Sequence, residues 1–208
     1  MPFRRSIPVL YNFLMKFTPY DYDYSLEYGS EYSVFNMAGS GEQENENYRF
    51  SVMICYEDTV PAIGRKFALD ENGNKRLNWL INISNDGWFV RFKDSKVFPG
   101  TELAQHAAVC AFRAVENRLA VVRSVNTGIS CLIDSSGRIK DGFINGTLPP
   151  EAMARTGISG WFLDRIPIDE RTSLFSKYGE WLDYFCQLCV FSLIILSLAV
   201  KIFRFINR

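Results

Sequence analysis

Apolar residues recur along this chain with two periods. Phe50–Ile54, Trp79–Ser84 and Leu119–Val125 are short, apolar-rich runs with Val and Ile prominent. They are too short for helices and read as strands, with Trp79–Ser84 suited to a sheet buried on both faces. After the first run, Val60, Ile63, Gly64 and Phe67 fall at helical spacing behind Pro61, which a first helical turn tolerates. Asp58 or Thr59 is placed to cap that helix. The longest helical pattern covers Thr101–Asn117, where Leu103, Ala107, Cys110, Ala111, Ala114 and Val115 form a small-residue stripe suited to close packing on a sheet. Gly128–Asp134 and Arg138–Phe143 flank the turn Asp134-Ser135-Ser136-Gly137 and read as a hairpin. Gly160–Ile168 is a final strand, Glu31–Met37 a short one and Val9–Phe17 a short helix. Strands alternating with helices, followed by a hairpin, predict a layered α/β domain. Tyr20–Tyr32, rich in tyrosine and acidic residues, is an irregular surface segment and a candidate lid.

The C-terminal pattern differs. From Tyr184 to Val200 every residue is apolar or small except Gln187, and Leu182–Phe203 just reaches the roughly 20 apolar residues that a bilayer core requires. Trp181, Tyr184 and Phe185 supply aromatic residues at one end. Lys201, Arg204 and Arg208 supply positive charge at the other, the arrangement of a span whose C-terminus is cytoplasmic. The expected organisation is a folded domain over residues 1–168, a linker over 169–181, a transmembrane helix over 182–203 and a cytoplasmic tail over 204–208. The folded domain then lies outside the cytoplasm.

Composition narrows the chemistry. The 23 basic and 23 acidic residues cancel, so no basic face for a nucleic-acid partner is expected. Five cysteines at irregular spacing do not make a disulfide framework. Cys186 and Cys189 lie inside the apolar run, with no second ligand pair for a metal, and neither a metal nor a cofactor is expected. Cys55 stands out: it ends a strand just before a helix, where a thiolate is favoured and backbone N–H groups are at hand for an oxyanion. His106, the single histidine, is the alternative partner for a cysteine nucleophile, with a structural role the preferred reading. Asn85-Asp86-Gly87-Trp88-Phe89 places polar groups and an aromatic at another strand end, where sites gather in layered α/β folds.

Ile54-Cys55-Tyr56-Glu57 and Ile83-Ser84-Asn85-Asp86-Gly87-Trp88-Phe89 resemble the nucleophile segment and following strand of the nitrilase, or carbon–nitrogen hydrolase, superfamily. Gln105-His106, Phe112-Arg113-Ala114-Val115-Glu116-Asn117, Val122-Arg123 and Asn126-Thr127-Gly128-Ile129-Ser130 narrow the resemblance to the apolipoprotein N-acyltransferases. It implies an α-β-β-α sandwich, incomplete at its N-terminus, followed by one C-terminal transmembrane helix in a bacterial inner membrane. It implies Cys55 as nucleophile, with Tyr56 and Glu57 supporting the site and Trp88 among its lining residues. The implied reaction moves an acyl chain from a phospholipid, through a thioester on Cys55, to the N-terminal amine of a lipoprotein. The family's glutamate and lysine would precede Met1, where Met1-Pro2-Phe3 matches the start of a family segment and Arg4 and Arg5 depart from it. The chain then reads as the C-terminal part of the enzyme, with acyl transfer by these 208 residues alone expected to be undetectable. A small-amide hydrolase and an inactive membrane-anchored remnant are the alternatives.

Overall fold

The computed structural model describes residues 7–17, 29–39, 46–94 and 96–206. The Arg4-Arg5 departure and most of Tyr20–Tyr32 lie outside them. Two compact units are present, Met1–Tyr32 and Ser33–Arg208. In the first, helix α1 (Pro8–Met15) starts on a proline and keeps Val9, Phe13 and Phe17 exposed along or just beyond it.

The second unit is built on one six-stranded sheet. Its strands are β1 (Phe35–Ala38), β2 (Asn47–Ile54), β3 (Trp79–Asn85), β6 (Ala120–Asn126), β7 (Cys131–Ile133) and β8 (Ile139–Lys140), in the spatial order β1-β2-β3-β6-β7-β8. β2, β3 and β6 run parallel, and the flanking pairs are antiparallel. Two short ribbons stand apart from this sheet: β4 (Val90–Lys93) with β5 (Lys96–Pro99), and β9 (Asn145–Gly146) with β10 (Phe162–Leu163). The final strand expected over Gly160–Ile168 is therefore two residues long and pairs outside the main sheet.

Helices α2 (Pro61–Ala68) and α3 (Glu102–Asn117) carry the connections between the parallel strands. Four members of the expected small-residue stripe of α3, Leu103, Ala107, Cys110 and Ala114, are buried, while Ala111 is half-buried and Val115 is exposed at its edge. Sheet and helices give the mixed α/β architecture, and among the described residues they supply one sheet layer and one helix layer of a sandwich. The register sets the content of each face. Ser51, Leu80, Val121 and Ile133 align across the sheet, as do Met53, Asn82, Arg123 and Cys131, and all eight are buried. On the opposite face, Val52, Ile81, Val122 and Leu132 form the corresponding row. That face is more open, with Ile54 59% and Ile83 42% exposed. Phe35, Phe50 and Trp79 stack across it at centroid distances of 5.4 and 5.5 Å. Beyond Trp79, the side chains of Val122, Leu132, Leu148, Trp161 and Leu163 help line a cleft of about 340 Å³.

The stretch leading to the C-terminal helix is tied to the domain. Lys75 donates through Nζ to the carbonyls of Arg118 and Asp169. Asp169 is gripped by Arg171 at 2.8 Å and Ser135 at 2.6 Å. Helix α4 (Leu174–Tyr178) is held by Arg65, whose Nε and Nη2 donate to the carbonyls of Ser176 and Lys177 at 3.0 and 2.9 Å. Helix α5 (Trp181–Ile206) follows. Its 26 residues make it about 39 Å long at 1.5 Å per residue, longer than a hydrocarbon core. It has the length and apolarity to cross a membrane, and it buries nothing against the rest of the chain over its apolar window.

Candidate active site

The parallel strands β2, β3 and β6 end together, and the polar groups of the chain gather at that edge. β2 stops at Ile54, and Cys55 opens a 3₁₀ turn, Cys55–Thr59. The expected helix starts only at Pro61, with Val60 as its cap residue. Neither Asp58 nor Thr59 caps it: Asp58 is buried in the site, and Thr59 Oγ1 bonds the Tyr56 carbonyl at 2.7 Å. The intervening turn also separates Cys55 from the N-terminus of α2.

Cys55 has φ = 52°, in the left-handed region that non-glycine residues rarely occupy. Such a conformation costs on the order of 1–3 kcal/mol and persists only where the surroundings hold it. Three contacts hold it. Glu57 Oε2 accepts the Ile54 N–H at 2.7 Å. Asn82 Nδ2 donates to the Cys55 carbonyl at 3.1 Å. Ser84 Oγ lies 3.4 Å from Cys55 Sγ. Cys55 as a residue is half-buried, in contrast to the fully buried Cys110 and Cys131.

Beneath the turn lies a closed polar cluster. Strand alternation sends Asn82 and Ser84 of β3 to the helix side, and the register sets Arg123 of β6 directly beside Asn82. Arg123 Nη1 donates to Asn82 Oδ1 at 2.7 Å, and Nη2 to Asp86 Oδ2 at 2.6 Å. His106 Nδ1 is 3.2 Å from Asp86 Oδ1, and His106 Nε2 lies within 3.1 Å of Asp58. Burial works against charge on His106, but the two aspartates on its ring nitrogens outweigh it and lift its pKa to about 9. Burial likewise opposes the Asp86 anion, yet hydrogen bonds from His106 and Ser84 and the charge of Arg123 keep its pKa below the ordinary value. Cys110 donates to Asp58 Oδ2 at 2.8 Å, and burial together with Asp58 pushes its thiol far up. It is a proton-holding structural thiol. Arg113 adds a bond to the Asp58 carbonyl at 3.1 Å. Gly128 is required by the same packing, since a Cβ there would sit 2.2 Å from Asp86 Oδ2.

The expected site residues thus occupy different places. Cys55, Tyr56 and Glu57 share one turn, and the Tyr56 ring stacks on His106 at 5.0 Å. Glu57 is engaged as the cap of the turn. Trp88 is 79% exposed in the 3₁₀ turn Asp86–Phe89; its neighbour Phe89 is the residue that meets Tyr56, edge-on at 5.8 Å. Sequence reasoning did not single out Asn82, Ser84, Asp58 or Arg123 as site groups. For Asn82, Ser84 and Arg123 the signal was polar side chains on otherwise apolar parallel strands, where a buried partner is obligatory; Asp58, on the turn after β2, carried no such signal.

No protein-family model matches the chain. It is 32% identical over 142 residues to an apolipoprotein N-acyltransferase of Geobacter metallireducens, covering 68% of this chain and 22% of that protein. With the Thermotoga maritima protein of the same name it shares 34% identity over 158 residues, 76% of this chain and 25% of the relative. This chain is a relative of the apolipoprotein N-acyltransferases. A third, apolipoprotein N-acyltransferase 1 of Treponema denticola, matches across 100% of the chain at 29% identity, over 31% of its own length. The chain therefore spans a fifth to a third of the curated relatives it matches. Among solved structures, an amidase from Nesterenkonia sp. aligns at 15% identity with a TM-score of 0.41, covering 73% of this chain and 48% of its own. The nitrilase-superfamily protein Nit3 of Saccharomyces cerevisiae aligns at 19% identity with a TM-score of 0.40, covering 67% of this chain and 43% of its own.

Proposed function

We propose that this chain is the thiol-bearing part of an N-acyltransferase acting at a membrane. The observation that carries this reading is Cys55, strained, half-exposed and held from three sides where the parallel strands end. The names of the relatives supply the reaction class. The Cys55 thiolate attacks an ester carbonyl of a phospholipid, the lysophospholipid oxygen leaves and takes up a proton, and a thioester forms. The amine of a lipoprotein's N-terminus then attacks that thioester, yielding an amide and returning the thiol. Tyr56 and Trp88, half-exposed and exposed beside the turn, offer apolar surface to the acyl chain. Helix α5 keeps the site beside its lipid substrate, in a bacterial inner membrane with the domain outside the cytoplasm and Lys201 and Arg204 at the cytoplasmic end.

Among the described residues, neither acid–base candidate near Cys55 is free. Glu57 is committed to the Ile54 N–H, and His106 has an aspartate on each ring nitrogen. This reading places the base and an oxyanion donor outside the described residues, and without them acyl transfer loses about 10²–10⁴-fold and about 3–4 kcal/mol. The test is hydroxylamine-labile transfer of a labelled acyl chain from phospholipid to Cys55. This chain, its Cys55→Ala variant and the chain joined to the remainder of a relative are compared. Labelling that needs both Cys55 and the added region is expected. Robust Cys55-dependent transfer by this chain alone would return Glu57 or His106 to the role of base. Ammonia release from small amides without acyl labelling would make it a hydrolase, and failure of the joined chain in both assays would make it an inactive remnant. For the topology, a reporter fused after α5 is expected to be active only in the cytoplasm.

A further inference from the structure

Ser84 stands between the candidate nucleophile and the buried charge cluster. Its Oγ is 3.4 Å from Cys55 Sγ and 2.7 Å from Asp86 Oδ1. A hydroxyl has one proton to donate and two neighbours here that each accept. With Cys55 protonated, the S–H points to Ser84 Oγ, and the hydroxyl donates to Asp86. Once the thiol has lost its proton, the sulfur needs a donor, and the Ser84 hydroxyl is the group in reach. Turning it away from Asp86 is inexpensive because Asp86 keeps two other donors. His106 Nδ1 faces the same Oδ1 at 3.2 Å, and Arg123 holds Oδ2 at 2.6 Å. His106 is itself fixed by Asp58 on its other nitrogen and by the Tyr56 ring stacked on its face, so the far side of the arrangement is rigid.

We propose that Ser84 is a positioning residue for the Cys55 thiol, a two-way hydroxyl that accepts from the thiol and donates to the thiolate while Asp86 and His106 hold it in place. This rests on the reading of Cys55 as the nucleophile. The groups that bear on the titration come from every element around the site. They are Tyr56, Glu57 and Asp58 on the turn after β2, Asp86 after β3, Arg123 on β6, and Glu102, His106, Cys110 and Arg113 on α3. All but Ser84 keep their partners when its hydroxyl is removed, apart from the one oxygen of Asp86.

The experiment measures iodoacetamide alkylation of the full chain in detergent micelles, read at Cys55 by peptide mapping, as a function of pH. Wild type, Ser84→Ala, Ser84→Thr and Cys55→Ala are compared, with melting temperatures taken alongside. The Ser84→Ala profile is expected to move to higher pH, with alkylation about tenfold slower at pH 7 and recovered at alkaline pH. Ser84→Thr, which restores a hydroxyl at the same carbon, is expected to stay within twofold of wild type. An unmoved midpoint in Ser84→Ala, whatever its melting temperature, would overturn the proposal and leave Ser84 a packing residue. A shift shared equally by Ser84→Thr would overturn it too, since the hydroxyl would then not be the cause. If native wild-type Cys55 does not alkylate while the denatured chain does, the reading of Cys55 as nucleophile falls first and takes this inference with it.

Discussion

The two faces of the one sheet are built from neighbouring residues on the same strands, yet they do different work. On the helix side, β2, β3 and β6 present Met53, Leu80, Val121, Asn82 and Arg123, all fully buried. Asn82 and Arg123 are bound to one another, and Arg123 pairs with Asp86 and Asp58, the two carboxylates that also hold His106. On the other side the same strands present Val52, Ile54, Ile81, Ile83 and Val122, with the exposed Ser124 beside Ile83, and this mostly apolar face is partly open to solvent. The first face stores the chain's stability and shapes its site. The second is apolar surface that the described residues leave incompletely covered. The difference shows that apolarity is no guide to which face carries the energy. Burial is the better guide, and on the helix side it includes charges, so that removing one partner strands a counter-charge out of water.

The sharpest way to break this contrast is Arg123→Met. It leaves Asp86 and Asn82 without their guanidinium and should destabilise the domain by about 3–5 kcal/mol, the usual cost of cutting a buried pair on one side. Chemical denaturation of the detergent-solubilised chain measures this, and a cost below about 1 kcal/mol would refute the ranking of the faces. Leu80→Ala and Ile83→Ala test it within a single strand. Leu80 is fully buried and should cost about 2–5 kcal/mol. Ile83, 42% exposed, should cost less than about 1 kcal/mol by apolar area.

Stability should also carry the signature of the helix-side cluster in its pH dependence. The pKa of His106 is raised from 6.5 to about 9, so its contribution is fully present below about pH 6.5 and is lost as pH rises through about 9. Unfolding free energy is expected to fall across that window in the wild type and to flatten in His106→Gln. Equal slopes in the two proteins would show that the imidazolium is not what the aspartates hold. The smallest effect concerns Trp88. Being 79% exposed, its replacement by Ala should change stability by no more than about 0.5 kcal/mol. Any larger loss of acyl transfer in the joined chain then reports substrate contact rather than folding.

Local pattern alone located β2, β3 and β6 as nearly unbroken apolar runs, although the burial on both faces that such a run implies is complete only on the helix side among the described residues. It also located α3, whose small residues admit close approach to the sheet, and α5, whose apolar run is long enough to cross a membrane. Cys55 was legible as a strand-end thiol, and the resemblance of its surroundings to a family was carried by contiguous motifs. What local pattern could not reach was any relation across strands. Asp58 looked like a helix cap and is instead a buried partner of His106 and Cys110. Glu57 looked like a site carboxylate and is spent on the Ile54 N–H. Arg123 was legible only as part of a family motif, and only the tertiary structure shows that Asn82 accepts from it and Asp86 neutralises it. The sequence by itself determined the periodicities, the segment lengths and the membrane-length helix, since these depend on neighbours a few residues apart. Only the tertiary structure decided the positive φ at Cys55, the charge on His106 and the partners of Ser84. Each depends on contacts between residues 20 to 50 positions apart that the packing of strands, turns and α3 brings within 3.5 Å, Cys55 with Ser84 and His106 with Asp58 and Asp86.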